Sequence, residues 1–218
     1  FFTYMDIWIA DKHFVGFKTQ YGKTFSMDQH QVVEDKMTRD GVHYDTERTE
    51  GWYYNGDKAP QSFNTNVYYN GQAGKLGIDF NFDWYSISNS QMSDVDERSL
   101  QLNDDTPIRA NSSSESGMYA TKLVLSYPIW QGQLQAGTEE TFSRIDDNYS
   151  ISGTTIPASS SEVREDNIAA FASYAFVLPK VGQFSAGLRF EHVNYVYDDL
   201  LGDSGFGRKY NNAFPSIS

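Results

Sequence analysis

Residues 76–84 place large apolar side chains at Leu76, Ile78, Phe80, Phe82 and Trp84, in unbroken alternation with Gly77, Asp79, Asn81 and Asp83. A period of two marks a β-strand with one apolar and one polar face. Here one face carries only large apolar groups, and the other carries carboxylates and amides. Hydrocarbon on one side and a watery interior on the other would suit both, which is the dyad repeat of a transmembrane β-barrel. The strand alone fits equally well into the edge of a soluble sandwich with one face in the core. The rest of the chain has to separate the two.

The 218 residues suffice for one all-β domain. Aromatics make up 16% of them, with 15 Tyr, 15 Phe and 4 Trp, as expected of a barrel with aromatic girdles at both membrane interfaces. Mean hydropathy is −0.57. No apolar run approaches the roughly 20 residues of a spanning helix, so a helical membrane protein is excluded and a barrel is not. The chain has no cysteine, which excludes disulfide scaffolds, thiolate metal sites and cysteine nucleophiles. A net charge of −12 argues against a nucleic-acid partner, because phosphate binding needs a basic patch. Acids cluster at Glu34-Asp35, 94–97, Asp104-Asp105, Asp146-Asp147, Glu165-Asp166 and Asp198-Asp199. Solubility accounts for them; cation binding, or cation-bridged contact with anionic lipid, is the functional alternative.

Strand signals are expected over 1–9, 13–25, 63–69, 76–90, 119–127, 133–149, 163–178 and 183–197, with a last strand after 207. Short Gly/Pro turns follow Ile9, Tyr69, Tyr127 and Leu178, and long polar stretches cover 26–60, 92–117, 150–161 and 198–207. Read as loops, these stretches give an up-and-down barrel with tight turns at one end and long loops at the other. The expected fold is an all-β antiparallel meander of about eight to nine long strands, a segment of a larger outer-membrane β-barrel. Residues 1–218 form a single barrel segment in this reading. Phe1 opens in mid-pattern without a basic-then-apolar leader, and Ser218 stops in mid-pattern, so both ends are expected to be cut and no plug domain is recognised.

Motifs for chemistry are absent. His13, His30, His43 and His192 show no metal-ligand spacing, and there is no HExxH, GxSxG, P-loop or dinucleotide fingerprint. The stretch from Gly202 to Gly207 imitates a phosphate loop but opens no helix, and reads as a surface loop. Glu139 and Glu140 are adjacent in a strand, so they point to opposite faces and do not converge. No catalytic residue, metal or cofactor is expected. In the 188–191 stretch, Leu188 and Phe190 alternate with Arg189 and Glu191. With Leu188 and Phe190 on lipid, Arg189 and Glu191 face the lumen, either stabilising the wall or holding an internal plug. Trp52, Tyr53, Tyr54 and Asp57, in the first long polar stretch, are ligand-contact or interface candidates.

Several stretches resemble the barrel of TonB-dependent outer-membrane receptors, in the Bacteroidetes group called outer membrane beta-barrel family proteins. They are Lys75-Leu-Gly-Ile-Asp-Phe-Asn-Phe-Asp-Trp84, Lys122-Leu-Val-Leu-Ser-Tyr-Pro128, Glu165-Asp-Asn-Ile-Ala-Ala-Phe-Ala-Ser-Tyr174, Ser185-Ala-Gly-Leu-Arg-Phe-Glu-His192 and Tyr210-Asn-Asn-Ala-Phe-Pro-Ser-Ile-Ser218. The resemblance spans about 63–218. It implies a bacterial outer-membrane location and a 22-stranded barrel closed by a plug. It also implies uptake of a scarce nutrient (siderophore, haem, vitamin, peptide or glycan) driven through TonB. Outer-membrane lipid, the plug of the same full-length protein and the TonB system would be the partners. The alternatives are a complete small barrel with a structural or adhesive role and, behind it, an outer-membrane enzyme. On the receptor reading Leu76, Ile78, Phe80, Phe82 and Trp84 are lipid-facing wall, and Asp79 and Asp83 face the lumen.

Overall fold

The computed structural model describes residues 1–25, 28–55, 60–101, 104–202 and 204–218. Among them the chain is one antiparallel sheet of eleven strands. The strands are β1 (Phe2–Ala10), β2 (His13–Lys23), β3 (Gln29–Arg39), β4 (Val42–Asn55), β5 (Gln61–Ala73) and β6 (Leu76–Ser99). They continue as β7 (Asp104–Ile129), β8 (Gly132–Ser152), β9 (Ser159–Leu178), β10 (Gly182–Asp199) and β11 (Ser204–Ile217). The ladder runs β1-β2-β5-β6-β7-β8-β9-β10-β11, and β3 and β4 lie off this path.

The meander is as expected, but the long polar loops are not loops. Residues 29–55 fold into the β3–β4 hairpin, turning at Asp40-Gly41, where both residues have positive φ (49° and 79°). That is the backbone of a two-residue hairpin turn whose twist matches the strands, and Asp-Gly is its sequence signal. Both faces of this hairpin meet water, so its strands lack an apolar stripe. The 92–117 stretch is likewise mostly strand: β6 runs on to Ser99 and β7 begins at Asp104. Only 153–158 separate β8 from β9, and Ser204–Gly207 already belong to β11. The polar stretches are thus strand extensions. The expected eight to nine strands correspond to the nine staves of the main path, and the hairpin adds two.

The hairpin stands above β5. On one side β6 pairs first with β5, from Leu76 to Ser88, and then with β4, from Gln91 to Ser99. Its tip is latched to the β6–β7 turn through Asp45, which is 7% exposed. The Asp45 carboxylate accepts from Ser99 Oγ (2.7 Å) and from the backbone N–H groups of Thr46 (2.8 Å) and Gln101 (3.3 Å).

The tight turns at the other end follow a regular slip. They close at Ala10↔His13, Ala73↔Leu76, Ile129↔Gly132 and Leu178↔Gly182. His13 pairs with Gly71 and so falls level with Ile78 of β6. Ile129 lies three residues past Ser126, the partner of Gly77, and so falls at the height of position 74. Leu178 lies two residues past Phe176, the partner of Gly132, and falls two lower again. Each hairpin therefore sits two residues below the one before, a slip of one residue per strand. With a rise of ~3.3 Å and a strand spacing of ~4.8 Å, this slip tilts the strands by about 35° from the normal to the turn plane, in the range that barrel walls adopt.

The sheet is a single layer with almost no core. Ala169 is the one buried hydrophobic residue among those described, at 1% exposure. The ladder satisfies the backbone, but no second layer covers the apolar side chains. Soluble domains bury such a face against another element.

The Asp45 latch gives a first prediction. Hydrogen bonding from the Ser99 hydroxyl, helped by the Gln101 and Thr46 amides, holds its carboxyl below the ordinary value of 3.8. A depressed pKa means that the charged form is bound more tightly in the fold. The latch is therefore complete above the ordinary value and lost as pH falls through the lowered one. Asp45→Ala is expected to raise amide exchange at Thr46 and Gln101 at neutral pH while β8–β10 stay protected. In the native chain the same two amides should open only in strong acid. Unchanged exchange in the variant would refute the latch.

Candidate functional site

Register separates the sheet into two faces. Leu76, Ile78, Phe80, Phe82 and Trp84 of β6 share a face with Leu125, Leu123 and Tyr119 of β7. Leu134 and Phe142 of β8 and Leu188 and Phe190 of β10 extend the same face. These side chains are exposed to an unusual degree, with Leu188 at 56%, Tyr119 at 50% and Phe190 at 49%. Along β7 the face reads Ile129, Tyr127, Leu125, Leu123, Thr121, Tyr119, then turns polar at Gly117 and Glu115. Ten residues at ~3.3 Å, tilted about 35°, make an apolar band ~27 Å tall.

Aromatic rings gather at both margins of this band. At the lower one Trp130, Tyr174, Phe176 and Phe184 form a chain of ring contacts with centroids 5.6–6.5 Å apart. At the upper one Phe63, Trp84 and Tyr119 do the same, with Trp84 and Tyr119 stacked at 6.2 Å and 7°. Above the upper margin the face becomes an ion-pair lattice. Arg144 holds Asp146 (2.9 Å) and Glu162 (2.6 Å), and Arg164 holds Glu162 (2.7 Å) and Asp198 (3.0 Å). The hydrogen bonds it donates to the Asp146 carboxylate push the Arg144 guanidinium further toward its charged form. Higher still, Arg98 pairs with Asp105 (2.7 Å) and Arg109 with Asp94 (3.4 Å). Several of the acidic clusters thus sit on strand extensions and already have cationic partners.

The opposite face is predominantly polar, with Val124 and Phe171 among its polar groups, and the four charges singled out on it fall into two groups. Asp79 is held by Asn81 Nδ2 (2.7 Å) and Asn70 Nδ2 (3.3 Å), and Asp83 by Asn66 Nδ2 (2.9 Å). Arg189 and Glu191 pair with each other at 2.5 Å, and Arg189 also binds Glu139, which in turn binds Lys122 at 2.5 Å. This quartet spans four strands, β7 to β10. Arg189 reaches Glu139 by passing over β9 at Ala169, which pairs with both Glu139 and Glu191. A longer side chain at 169 would block that crossing. Nearby the Phe171 ring lies over Gly137, where an added Cβ would come within 2.7 Å of it. Glu139 and Glu140 do diverge: Glu140 points to the other face and accepts from Thr121 Oγ1 at 3.1 Å.

The aromatic cluster of the first polar stretch is divided by the pleat. Trp52 and Tyr54 fall on one face, where Trp52 stacks on His30 (4.9 Å) and Tyr54 Oη donates to Asp94 (2.8 Å). His30 in turn bonds to Glu50 at 2.8 Å, the main cause of that carboxyl's lowered pKa. Tyr53 falls on the other face, and Asp57 lies outside the described residues. Sequence reasoning missed Glu139 as a partner of Arg189 and Lys122 as a partner of Glu139; only the register brings them together. Among the described residues no group of three or more His, Asp and Glu side chains is arranged to hold a metal ion.

No curated protein matches the chain. Among solved structures, the outer membrane protease OmpT of Escherichia coli is similar at 10% identity and a TM-score of 0.32, over 95% of this chain and 77% of that one. The profile of the outer membrane protein beta-barrel family matches residues 62–218. The two-faced, staggered antiparallel wall agrees with that match: this chain belongs to the outer membrane protein beta-barrel family and resides in the outer membrane.

Proposed function

We propose that this chain is a wall segment of a TonB-dependent outer-membrane receptor that imports a scarce nutrient. The carrying observation is the half-buried Lys122–Glu139–Arg189–Glu191 quartet on the polar face of an open, tilted wall. Charges on the lumen face give an internal plug polar ground to seat on, besides tying the strands of the wall together. Leu76, Ile78, Phe80, Phe82, Trp84, Leu188 and Phe190 then face lipid. Asp79, Asp83, Arg189 and Glu191 face the lumen, toward the plug of the same full-length protein. The main path has nine staves, and β1 and β11 each have a single partner strand among the described residues. Unpaired edges are costly in lipid, and single-chain bacterial barrels have even strand numbers. The wall would therefore close with strands beyond these. Neither a catalytic residue nor a cofactor has a place in this reading.

Two measurements test it. In urea unfolding of the intact barrel in bilayers, Phe80→Arg, near the middle of the band, is expected to cost about 2–4 kcal/mol. Trp84→Arg, near its margin, should cost about 0–1 kcal/mol, and Asp79→Arg should cost little. If Asp79→Arg were the costly change, the two faces would be assigned the wrong way round. In cells carrying the intact protein, nutrient uptake should stop when a protonophore collapses the inner-membrane gradient. Uptake that ignores the gradient, or no uptake with a closed barrel of β1 paired to β11, would favour the small structural barrel instead.

A further inference from the structure

High on the polar face, between the β3–β4 hairpin and β6–β8, lies a cleft of about 490 Å³. Its walls include Tyr53, Asn55, Gln91, Ser93, Ser112 and Tyr149. Register puts these six side chains on the face that carries Asp79 and Lys122, through the rows Asn55↔Gln91↔Ser112↔Tyr149 and Tyr53↔Ser93. Gln91 lies seven residues beyond Trp84 along β6, which is about 20 Å above the upper aromatic margin.

Two features set this cleft apart. First, no charged residue lines it among the described residues, in a chain of net charge −12. At similar height on the opposite face, a cleft is lined by Arg48, Glu50, Asp96, Arg98 and Asp105. Second, it offers ring faces beside amides and hydroxyls. Tyr53 lies along the sheet over Gly51, where an added Cβ would come within 2.9 Å of its hydroxyl. One step down the same face from Gln91, the side-chain oxygen of Asn89 is shut off from solvent and has no hydrogen-bond partner.

Ligand chemistry follows from this lining. An anionic ferric chelate or a phosphate needs guanidinium or ammonium groups, and the described lining has none. A flat apolar macrocycle needs a mostly apolar wall, whereas here the rings of Tyr53, Tyr54 and Tyr149 are interrupted by amides and hydroxyls. A sugar ring fits both parts. Its C–H edges carry partial positive charge and pack on the negative face of an aromatic ring. Its hydroxyls both donate and accept, as do the Gln, Asn and Ser side chains.

We infer that this cleft is a recognition site for a neutral carbohydrate, with Tyr53 and Tyr149 as stacking platforms and Gln91, Ser93 and Ser112 as hydroxyl partners. The inference rests on the reading of the polar face as the interior of a receptor barrel and supplies its ligand class.

The test uses the intact full-length protein in detergent, folded by the criterion of heat-modifiable gel mobility. It is probed with an array of neutral and acidic oligosaccharides, and in parallel with ferric citrate and haem. Neutral oligosaccharides are expected to bind. Tyr149→Ala and Tyr53→Ala should each weaken binding about tenfold, while Tyr149→Phe, which keeps the ring, should stay within about twofold. The site is overturned if no neutral saccharide binds, if both alanine variants bind as the parent does, or if ferric citrate or haem is the ligand that Tyr149→Ala weakens. Saccharide binding without gradient-dependent uptake would keep the site and remove the receptor. Gradient-dependent uptake of a ligand indifferent to Tyr149→Ala would do the reverse.

Discussion

Everything in this molecule depends on the hydrogen-bonded ladder, because almost nothing else holds the sheet together. A soluble domain of this length would bury a core of Leu, Ile, Val and Phe. Here Ala169 is the one buried apolar residue among those described. Inter-strand backbone bonds fix the register, and the register alone decides which side chains meet. A shift of one residue in one strand would exchange Leu123 for Lys122 on the apolar face and scatter both aromatic girdles. The apolar band supplies the missing layer from outside, since membrane hydrocarbon takes the place of a second sheet.

The ion pairs follow the same logic. On the polar face they link strands that are not neighbours, as Arg189 does when it reaches across β9 to Glu139. On the strand extensions Arg144 and Arg164 tie β8, β9 and β10 together. Surface pairs of this kind contribute little one at a time. Their arrangement across strands still resists shear, the motion that a single-layer sheet is least able to oppose.

The sequence made the wall legible wherever one face is apolar. The alternation in 76–84 and in 188–191 divides the residues into two sets, and the pairing keeps each set together on one side of the sheet. It failed where both faces are wet. Residues 29–39 and 104–117 carry polar groups on both sides, so period-two patterning disappears even though the backbone is strand. The Asp40-Gly41 dipeptide was the available signal for the hairpin, and it outweighs the polar flanks that disguised it. The Arg189–Glu139 contact was out of reach for another reason. The residues are 50 apart in sequence, and their meeting depends on a methyl group at position 169 on the strand between them.

The one-residue slip per strand has a further meaning. A hydrogen-bonded row is not a contour of constant depth; it climbs as it crosses the wall. The row through Phe82 begins at Met5, Phe17 and Val67, then passes Thr121, Glu140, Ile168 and His192 to reach Asn211. Under the proposed placement it starts in hydrocarbon and climbs to the upper margin: Thr121 and Glu140 still lie two residues below Tyr119 and Phe142, while His192, ten residues above its tight turn, stands as high as Tyr119. The imidazole marks the waterline, and the Glu140 carboxylate, hydrogen-bonded to the Thr121 hydroxyl, sits just beneath it.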